Sequence, residues 1–517
     1  MAEIYLFYTR TNSSLCRYDF DFTNAAAIRS NPVYQPYIEE KDRYSFDRYR
    51  EPFRDPNALS TINETGLCPV LPVVPTAMAM GCVIGWSGTA IDSMKKTDST
   101  PQIRLINNGT EVHPDDEEYE TWMSSCITLA ALAGSFLSGF IIKFLGSRKT
   151  LIGLGVPLIA GWAVICFAKN FTIIIVGRAI TGLVSGVICS TAPGYVSDLV
   201  TPKTRGFLST GFQIMICVGQ LYLICFGTFL EWNTLAYVSI VPAIVCSLGM
   251  VFSPESPVRL VELGRHSEAL EVLEVIRAKE SDMSGELKEL QERVQANQAQ
   301  SGGGLSIVRR ADIYKPAIIA VMLMVFQQFS GVNAVMFYLK SIFTEGGSSL
   351  DPNIAAIMVD AALVGATIVS ALVMNKFGRK TLLLTSSAGH VVSLAMMGLY
   401  YKVIFPAHGW IPVTALMVFV IFFSFGWGPL AWVLCYDCTP PEGVPFVSSI
   451  GSASNWLCAF IITKEFEWLI KTLTKPGAYW FFTGFSVVSI FYTIFLVPET
   501  KDRSLEDLQR HFLGKKN

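Results

Sequence analysis

Long apolar stretches almost free of charged residues constrain this chain more than any other feature of its sequence. Each is about 20 residues long, the length with which an α-helix crosses the hydrocarbon core of a bilayer. Only helices and closed barrels satisfy their backbone in lipid, and continuous apolar runs without alternation exclude a barrel. We therefore predict an all-α membrane protein with twelve transmembrane helices. The predicted spans are residues 67–91, 121–142, 150–168, 171–197, 207–230, 232–252, 316–339, 353–374, 381–401, 410–436, 445–463 and 478–497.

The composition agrees with a membrane protein. Hydrophobic residues make up 51% of the 517 residues and charged residues only 16%, whereas soluble domains are about a quarter charged. The net charge of −2 offers no basic surface for nucleic acid, so the expected partner is the lipid bilayer. The twelve cysteines are expected to pack as small hydrophobic residues. The Cys435–Cys438 pair lacks the βαβ context of a redox motif.

The charges of the predicted loops orient the chain. Basic residues follow the second and eighth spans (143–149 and 376–380), whereas the loop after the first span is acidic (115–120). Positive loops face the cytosol, so both termini are predicted to be cytosolic. The loop predicted between the last two spans, with Lys464, Lys471 and Lys475, argues weakly for the opposite orientation. A sequon at Asn108 falls in the acidic outer loop and is the candidate glycosylation site.

Three polar regions lie outside the spans. Residues 1–66 lack the apolar core of a signal peptide and are interpreted as a cytosolic N-terminal tail. Residues 253–315 are predicted to form a cytosolic helical linker, with helices over Leu260–Ile276 and Glu286–Gln300 and a flexible joint at Ser301–Gly304. Residues 498–517 form a cytosolic C-terminal tail.

The two halves of the chain repeat short motifs at nearly constant separations. An internal duplication of six spans is typical of transporters, with the substrate site at the interface of the repeats near the midplane. The repeat predicts two pseudo-symmetric six-helix bundles, residues 67–252 and 316–497. The repeated pairs are Lys143-Phe-Leu-Gly-Ser-Arg-Lys-Thr150 with Asn375-Lys-Phe-Gly-Arg-Lys-Thr381, Ser253-Pro-Glu-Ser-Pro257 with Val497-Pro-Glu-Thr-Lys501, and Asp198 with Asp437.

Several motifs together resemble the sugar porter family of the major facilitator superfamily over residues 67 to 510. Within that family the likeness is greatest to insect facilitated trehalose transporters and their glucose-transporter relatives. The motifs are Gly177-Arg178 with Gly182 and Gly186, Pro193-Gly-Tyr-Val-Ser-Asp198 with Arg205-Gly206, Gln327-Gln328-Phe-Ser-Gly-Val-Asn333, Gly426-Trp-Gly-Pro429 with Trp432, Asn455-Trp456, and Pro498-Glu-Thr-Lys501.

The resemblance implies roles for individual residues. A sugar hydroxyl both donates and accepts hydrogen bonds, and a carboxamide offers one group of each kind. By motif position the residues that read hydroxyls are Gln213, Gln327, Gln328, Asn333 and Asn455, and Trp432 is the platform that stacks on the sugar ring. The alternative for any lone amide in a membrane helix is a hydrogen bond that joins two helices.

The resemblance also implies gating and latch residues. Phe337 and Tyr338 correspond to the outer gate of the seventh helix, and Gly331, Gly426, Gly428 and Pro429 interrupt helices that would bend. In this family, cytosolic ion pairs between arginines and carboxylates stabilise the outward-open state and are here called the latch. The corresponding residues are Asp198, Arg205, Glu255, Arg379, Asp437 and Glu499. Several latch positions depart from the family pattern, among them Ser147, Asn375 and Val444.

Two strongly ionisable residues fall inside the predicted spans, Arg178 and Asp360. Charges in lipid are costly and face a partner or a cavity, so both are candidates for ion coupling. Arg178 matches the family motif and Asp360 does not, so Asp360 is interpreted either as a hydrated residue near a helix end or as a cation or proton site. In proton-coupled sugar porters the first helix carries an aspartate, where this chain has Ser87 in the run Gly85-Trp86-Ser87. Serine carries no proton in the useful pH range, which favours facilitated transport.

Three functions remain open from the sequence. The first is a facilitative transporter for trehalose or a hexose, the second a proton-coupled sugar or polyol symporter that depends on Asp360, and the third a membrane sugar sensor that barely transports. No P-loop, catalytic triad or metal-ligand spacing is present, so neither an enzyme nor a cofactor is expected. The plasma membrane is the location that the resemblance implies. The sequence leaves the sugar and the oligomeric state undetermined, although a monomer is expected to suffice.

Overall fold

The computed structural model describes residues 73–96, 105–107, 110–112, 117–200, 202–277, 282–300, 309–374, 376–440, 443–501, 503 and 505–513. Almost all of them are helical. The elements are α1 Val74–Lys96, β1 Leu105–Asn107, β2 Thr110–Val112, α2 Glu117–Leu145, α3 Ser147–Cys166, α4 Phe171–Leu199, α5 Pro202–Phe226, α6 Trp232–Val251, α7 Pro257–Glu262, α8 His266–Ile276, α9 Met283–Gln300, α10 Ala311–Phe329, α11 Val332–Phe337, α12 Leu339–Glu345, α13 Pro352–Val373, α14 Arg379–Leu399, α15 Trp410–Phe425, α16 Trp427–Asp437, α17 Val444–Phe495 and α18 Leu505–Leu513.

The number of helices matches the predicted membrane fold. In the described residues, nine helices are long and apolar enough to cross a membrane. One of them, Phe446–Phe495, has 50 residues and is long enough for two crossings. The apolar part of α5, Thr210–Phe226, and α1 complete the twelve predicted spans. The only sheet in the described residues is the antiparallel pair of β1 and β2, and Asn108 lies outside them.

The boundaries of several spans differ from the prediction. The loop predicted between the last two spans is helical, because α17 continues through Lys464 and Lys471 and departs from helical geometry only at Thr474, with φ 66°. Pro476 follows two residues later, and a proline inside a helix removes a backbone hydrogen bond and kinks or breaks the helix. The single linker helix predicted over Leu260–Ile276 is two helices, separated where Gly264 takes φ 74°. Hydropathy predicts which residues contact lipid, whereas the ends of a helix depend on backbone geometry, so the two sets of boundaries differ.

The described residues fall into two compact units. In the smaller unit, residues 195–205 at the end of α4 join the linker helices α7 to α9. The Tyr195 hydroxyl donates to the Pro254 carbonyl, and Arg277 donates to the Leu199 carbonyl at 2.6 Å. Arg277 also forms a salt bridge with Glu286 at 2.7 Å. The linker is therefore tied to the last turn of α4 by hydrogen bonds as well as by packing.

The larger unit contains the membrane helices, and glycines let several of them approach closely. A Cβ at Gly182 would lie 2.5 Å from the carbonyl oxygen of Ile127, and one at Gly186 would lie 2.0 Å from that of Ala131. Both contacts join α4 to α2. Small residues at helix contacts are typical of membrane bundles, where packing replaces the hydrophobic drive. The motif glycines of the fourth span thus have a packing role.

The internal repeat is visible as a matched pair of contacts. Arg148, near the start of α3, donates to the Val251 carbonyl at the end of α6 at 2.8 Å. In the second half, Lys380 near the start of α14 donates to the Ile494 carbonyl near the end of α17 at 2.6 Å. A cation at the C-terminal end of a helix compensates both the unpaired carbonyls and the negative end of the helix dipole. Each half therefore closes its last helix in the same way.

Replacing either cation should destabilise the protein. Each of Arg148→Ala and Lys380→Ala leaves a helix end uncompensated, which costs about 1 kcal/mol at such sites. Thermal unfolding of the detergent-purified protein would measure the loss. Lys402→Ala is the matched control, since Lys402 lies over the ring of Trp480 and we expect a smaller effect there. Equal melting of Lys380→Ala and wild type would contradict a role in helix termination.

Candidate substrate-binding site

The seventh span is broken into three helices. α10 ends at Phe329, and Gly331 takes the left-handed conformation with φ 86° before α11 begins. A second break at Tyr338 separates α11 from α12. Gly331 is needed here because a side chain in this conformation is strained. The break lies inside the Gln327–Asn333 motif, so the amides of this motif flank irregular backbone.

The tenth span is broken at Gly426, between α15 and α16. Gly426 has φ −137° and ψ −84°, and a Cβ there would meet Ser386 Cβ at 2.5 Å. Two serines of α14 hold the next residue, since the Trp427 backbone N–H donates to Ser386 Oγ at 3.3 Å and its indole Nε1 donates to Ser387 Oγ at 2.7 Å. Trp427 is fully buried. The helix is therefore interrupted at the predicted glycine, and Pro429 lies in the first turn that follows.

Gln327 and Asn455 join these breaks into one polar cluster. The Gln327 amide N–H groups donate to the carbonyls of Trp427 at 2.7 Å and Gly428 at 3.0 Å. Its oxygen accepts a hydrogen bond from Asn455 Nδ2 at 2.6 Å. All three side-chain hydrogen bonds of Gln327 are made to protein groups, and the two carbonyls belong to the first turn of α16, directly after the break. In this conformation Gln327 acts as a joint between the seventh, tenth and eleventh spans.

Gln328 and Asn333 form a second, less saturated pair across the break of the seventh span. Asn333 Nδ2 donates to Gln328 Oε1 at 2.6 Å. Among the described residues this is the only hydrogen bond of either side chain. The Gln328 amide N–H groups are thus donors without a protein partner in the described residues, and the Asn333 side-chain oxygen is an acceptor without one. Such a pair matches the two-way hydrogen bonding of a sugar hydroxyl.

The remaining predicted binding and gating residues are more dispersed. Gln213 is half-buried in α5 and its amide lies 3.7 Å from Cys217 of the same helix. Trp432 is half-buried in α16. Phe337 and Tyr338 are buried, and the Tyr338 hydroxyl donates to the Thr463 carbonyl at 3.2 Å. No hydrogen bond in the described residues joins Gln213 or Trp432 to the amide cluster.

Arg178 is fully buried, and neutral groups surround it. Its guanidinium donates to the Val83 carbonyl at 2.8 Å and to the hydroxyl of Ser87, and it lies 5.0 Å from the Trp86 ring. All three partners lie on α1, and no carboxylate forms an ion pair with it in the described part of the chain. Ser87, the residue predicted to stand in place of a coupling aspartate, is the hydroxyl that accepts a hydrogen bond from this arginine.

The predicted latch residues of the first half lie in the smaller unit. Asp198 accepts a hydrogen bond from the Ser256 hydroxyl at 2.7 Å, and Glu255 accepts one from the Ser256 backbone at 3.2 Å. The side chain of Arg205 lies outside the described residues. Asp198 is thus held by the start of the linker, in a contact that sequence reasoning missed.

The latch residues of the second half centre on Glu499. Its carboxylate accepts hydrogen bonds from the backbone N–H groups of Arg379 at 2.9 Å and Lys380 at 3.2 Å, which begin α14. It also accepts from the Thr500 and Lys501 backbones at 3.0 Å. A carboxylate at a helix N-terminus satisfies unpaired donors and the positive end of the dipole. Glu499 therefore contacts the backbone of Arg379 and caps α14, and Asp437 ends α16 half-buried.

Sequence reasoning missed three polar residues near Asp360. Asp92 and Lys340 directly follow predicted spans, where a hydropathy pattern does not distinguish a hydrated loop from a buried charge, and Gln220 lies inside the predicted span 207–230. Gln220, Lys340 and Asp360 line one small cavity, and Lys340 lies 3.8 Å from Asp92. The charged residues of apolar segments would have been the signal to follow.

Comparison with known proteins places the chain in a defined family. A family model described as sugar (and other) transporter matches residues 73–512, so the chain belongs to that family of membrane transporters. The facilitated trehalose transporter Tret1 of Apis mellifera ligustica is 34% identical over 80% of this chain and 83% of its own length. Solute carrier family 2, facilitated glucose transporter member 8, of Mus musculus is 33% identical over 85% of this chain and 92% of its own.

The fold is that of the major facilitator superfamily. The proton:xylose symporter XylE bound to 6-bromo-6-deoxy-D-glucose superposes with a TM-score of 0.72, at 21% identity, over 86% of this chain and 99% of its own. The inward open conformation of XylE from E. coli gives a TM-score of 0.69 at 20% identity, over 86% of this chain and 98% of its own. The predicted twelve-helix fold is confirmed.

Replacing Glu499 should loosen the start of α14. Glu499→Gln keeps the size of the side chain but removes its charge and one acceptor, so a loss of about 1–2 kcal/mol in stability is expected. Thermal unfolding measures it, and Glu465→Gln on α17 serves as the control for a carboxylate without this capping contact. Unchanged stability of Glu499→Gln would show that the cap contributes nothing.

Proposed function

We propose that this protein is a facilitative transporter for trehalose or a hexose. The observation that carries the proposal is the Gln328–Asn333 pair, whose remaining hydrogen-bonding groups have no protein partner in the described residues and flank a helix break. The family match gives the transporter class. The names of the two relatives, which speak of facilitated trehalose and facilitated glucose transport, suggest the kind of sugar.

The proposed mechanism is alternating access between two bundles, residues 67–252 and 316–497. Gln328 and Asn333 read sugar hydroxyls, and Gln213 extends the site from the first bundle. Trp432 covers the apolar face of the sugar ring. Gln327 and Asn455 contact sugar only after their mutual bond opens. Binding between bundles can favour their closure, since a ligand shifts a conformational equilibrium by its difference in affinity.

The helix breaks are the proposed hinges. Irregular backbone at membrane depth is tolerated where protein or a water-filled cavity covers it, so Gly426, Gly428 and Pro429 can bend the tenth span without exposing polar groups to lipid. Phe337 and Tyr338 then move with α11 as the outer gate. The hydrogen bond between Ser256 and Asp198 and the cap at Glu499 hold the cytosolic ends. The further latch residues are Arg205, Glu255, Arg379 and Asp437.

Facilitation is favoured over coupling by the surroundings of Arg178. Its partners are neutral oxygens and an aromatic ring, so no proton is needed to complete this site. A proton-coupled symporter is the second candidate, because Asp360 is fully buried and neither carboxylate oxygen has a hydrogen-bond partner in the described residues. The pH dependence of uptake separates the two candidates.

The setting of the transporter follows from its class. A multi-pass membrane protein of the sugar transporter family works in a bilayer on a small-molecule sugar. We place it in the plasma membrane, with both termini cytosolic, Asn108 glycosylated on the outer side, and a monomer sufficient for transport. The same class makes an enzymatic activity unnecessary to explain the site.

Uptake of radiolabelled sugar tests the proposal. Oocytes that express the wild type should take up trehalose or glucose saturably, with equal rates at neutral and mildly acidic external pH. Gln328→Ala should lower uptake about tenfold, because a lost hydrogen bond to sugar costs about 1.4 kcal/mol or more. Gln291→Ala in the linker helix α9 is the matched control and should transport normally.

Two outcomes would contradict parts of this proposal. Uptake of neither sugar, with the protein confirmed at the cell surface, would overturn the choice of trehalose or a hexose. Wild-type uptake that rises on acidification would replace facilitation by proton coupling.

A further inference from the structure

A small cavity lies between α1, α5, α12 and α13. It measures about 10 Å³, and its lining includes Gly88, Thr89, Gln220, Lys340 and Asp360. A cavity of this size holds at most one water-sized group. It is therefore too small for a sugar. Its polar lining includes the charged residues Lys340 and Asp360.

Asp360 is the unusual group in this cavity. The side chain is 0% exposed, and both carboxylate oxygens lack a hydrogen-bond partner in the described residues. A carboxylate buried in this way costs several kcal/mol unless a cation or a proton compensates it. The residue therefore needs a positive partner during at least part of its working cycle.

Lys340 lines the same cavity and carries a positive charge. Its side chain is 5% exposed, and its Nζ lies 3.8 Å from Oδ2 of Asp92, whose side chain is 27% exposed. This separation exceeds the length of a hydrogen bond, so the contact is one of charge. A lysine has a flexible stem and a compact charge, which allows it to change partners.

The other titratable groups near Asp360 do not compete for this role. From α5 the thiols of Cys217 and Cys225 lie within reach of its charge, and a neutral thiol compensates no carboxylate. The helix α15, which packs on α13, has no titratable side chain. Asp92 on α1 and Lys340 on α12 are the charged groups that remain in the described surroundings.

We propose that Lys340 is a tethered counter-ion that exchanges between Asp92 and Asp360 during transport. Asp92 belongs to the first bundle, whereas Lys340 and Asp360 belong to the second. When the bundles part at α1 and α12, the charge contact with Asp92 is lost and Asp92 gains water. The ammonium then turns to Asp360, within its own bundle. The inference rests on the proposed transport by moving bundles.

The two arrangements differ in their electrostatic cost. In the structure described, the ammonium lies by Asp92, and the fully buried Asp360 bears the desolvation cost. In the opposite arrangement Asp360 has a cation, and the more exposed Asp92 is hydrated. The break at Tyr338 gives α12 a joint about which to move. In this carrier the Lys340 ammonium therefore compensates the buried carboxylate, as an external proton does in a symporter. This accounts for transport that needs no coupling ion.

Removing the ammonium tests the exchange. Uptake by Lys340→Met should fall about tenfold at neutral pH, since a buried charge is then never compensated. Mildly acidic pH should restore much of the uptake, because a proton on Asp360 replaces the lost ammonium. The double variant Lys340→Met/Asp360→Asn should transport at both pH values. Uptake by Lys340→Met equal to wild type at both values would overturn the proposal, as would acid-stimulated uptake by the wild type.

A second lysine, on α17 but paired with a residue of α12, provides the control. Lys475 pairs with Glu345 of α12 at 2.7 Å, with side chains that are 38% and 57% exposed. Exposed pairs contribute little, so Lys475→Met should transport like the wild type at both pH values. Loss of uptake in this variant equal to that of Lys340→Met would assign the effect to disturbance of α12 and overturn the specific role of Lys340.

Unfolding of the purified protein separates this inference from the proposed function. Acidification should stabilise Lys340→Met relative to the wild type, and the difference should vanish in the double variant. This readout needs no transported sugar. If the wild type takes up neither sugar, the proposed function fails and the unfolding measurement still decides the exchange. No pH-dependent difference in melting would overturn it.

Discussion

Every backbone N–H and C=O group inside a bilayer needs a partner within the protein, and the rest of this structure depends on that requirement. It turns the apolar runs into helices, and it makes each interruption of a helix costly. At the break at Gly426, the freed Trp427 N–H donates to Ser386 Oγ of α14, and the Gln327 amide donates to the carbonyls of Trp427 and Gly428 directly after the break. Polar side chains of α10 and α14 thus stabilise the irregular backbone of the tenth span.

The two buried charged residues, Arg178 and Asp360, have different kinds of surroundings. Arg178 has no carboxylate partner in the described residues, and a carbonyl, a hydroxyl and an aromatic ring of α1 surround it instead. The surroundings of the Arg178 guanidinium are fixed, because all three of its partners belong to one helix. Asp360 has no such partners in the described residues, and Lys340, which lines the same cavity, lies on the short helix α12. A charge with a fixed environment stabilises one arrangement, whereas a charge that lacks one can favour a change between arrangements.

The sequence predicts the architecture well because the bilayer imposes a length and a hydrophobicity on each span. The internal repeat is equally easy to detect in the sequence. In the structure it corresponds to the matched contacts of Arg148 and Lys380 with helix ends. The boundaries were less predictable. The helix α17 runs through Lys464 and Lys471, which hydropathy assigns to a loop. Lysines on a helix beyond the apolar region leave its backbone hydrogen bonds intact, so polarity there carries no information about helix ends.

The candidate site shows the same limit at the level of single residues. Gln327 and Gln328 are adjacent and chemically identical, and motif position assigns both to sugar. In the structure, Gln327 is saturated by two carbonyls and Asn455, whereas Gln328 has a single bond with Asn333. Neighbouring residues on a helix point about 100° apart, so one amide faces the break of the tenth span and the other does not. Residue type specifies which bonds a side chain can form, and only the packed structure specifies which of them remain for a sugar.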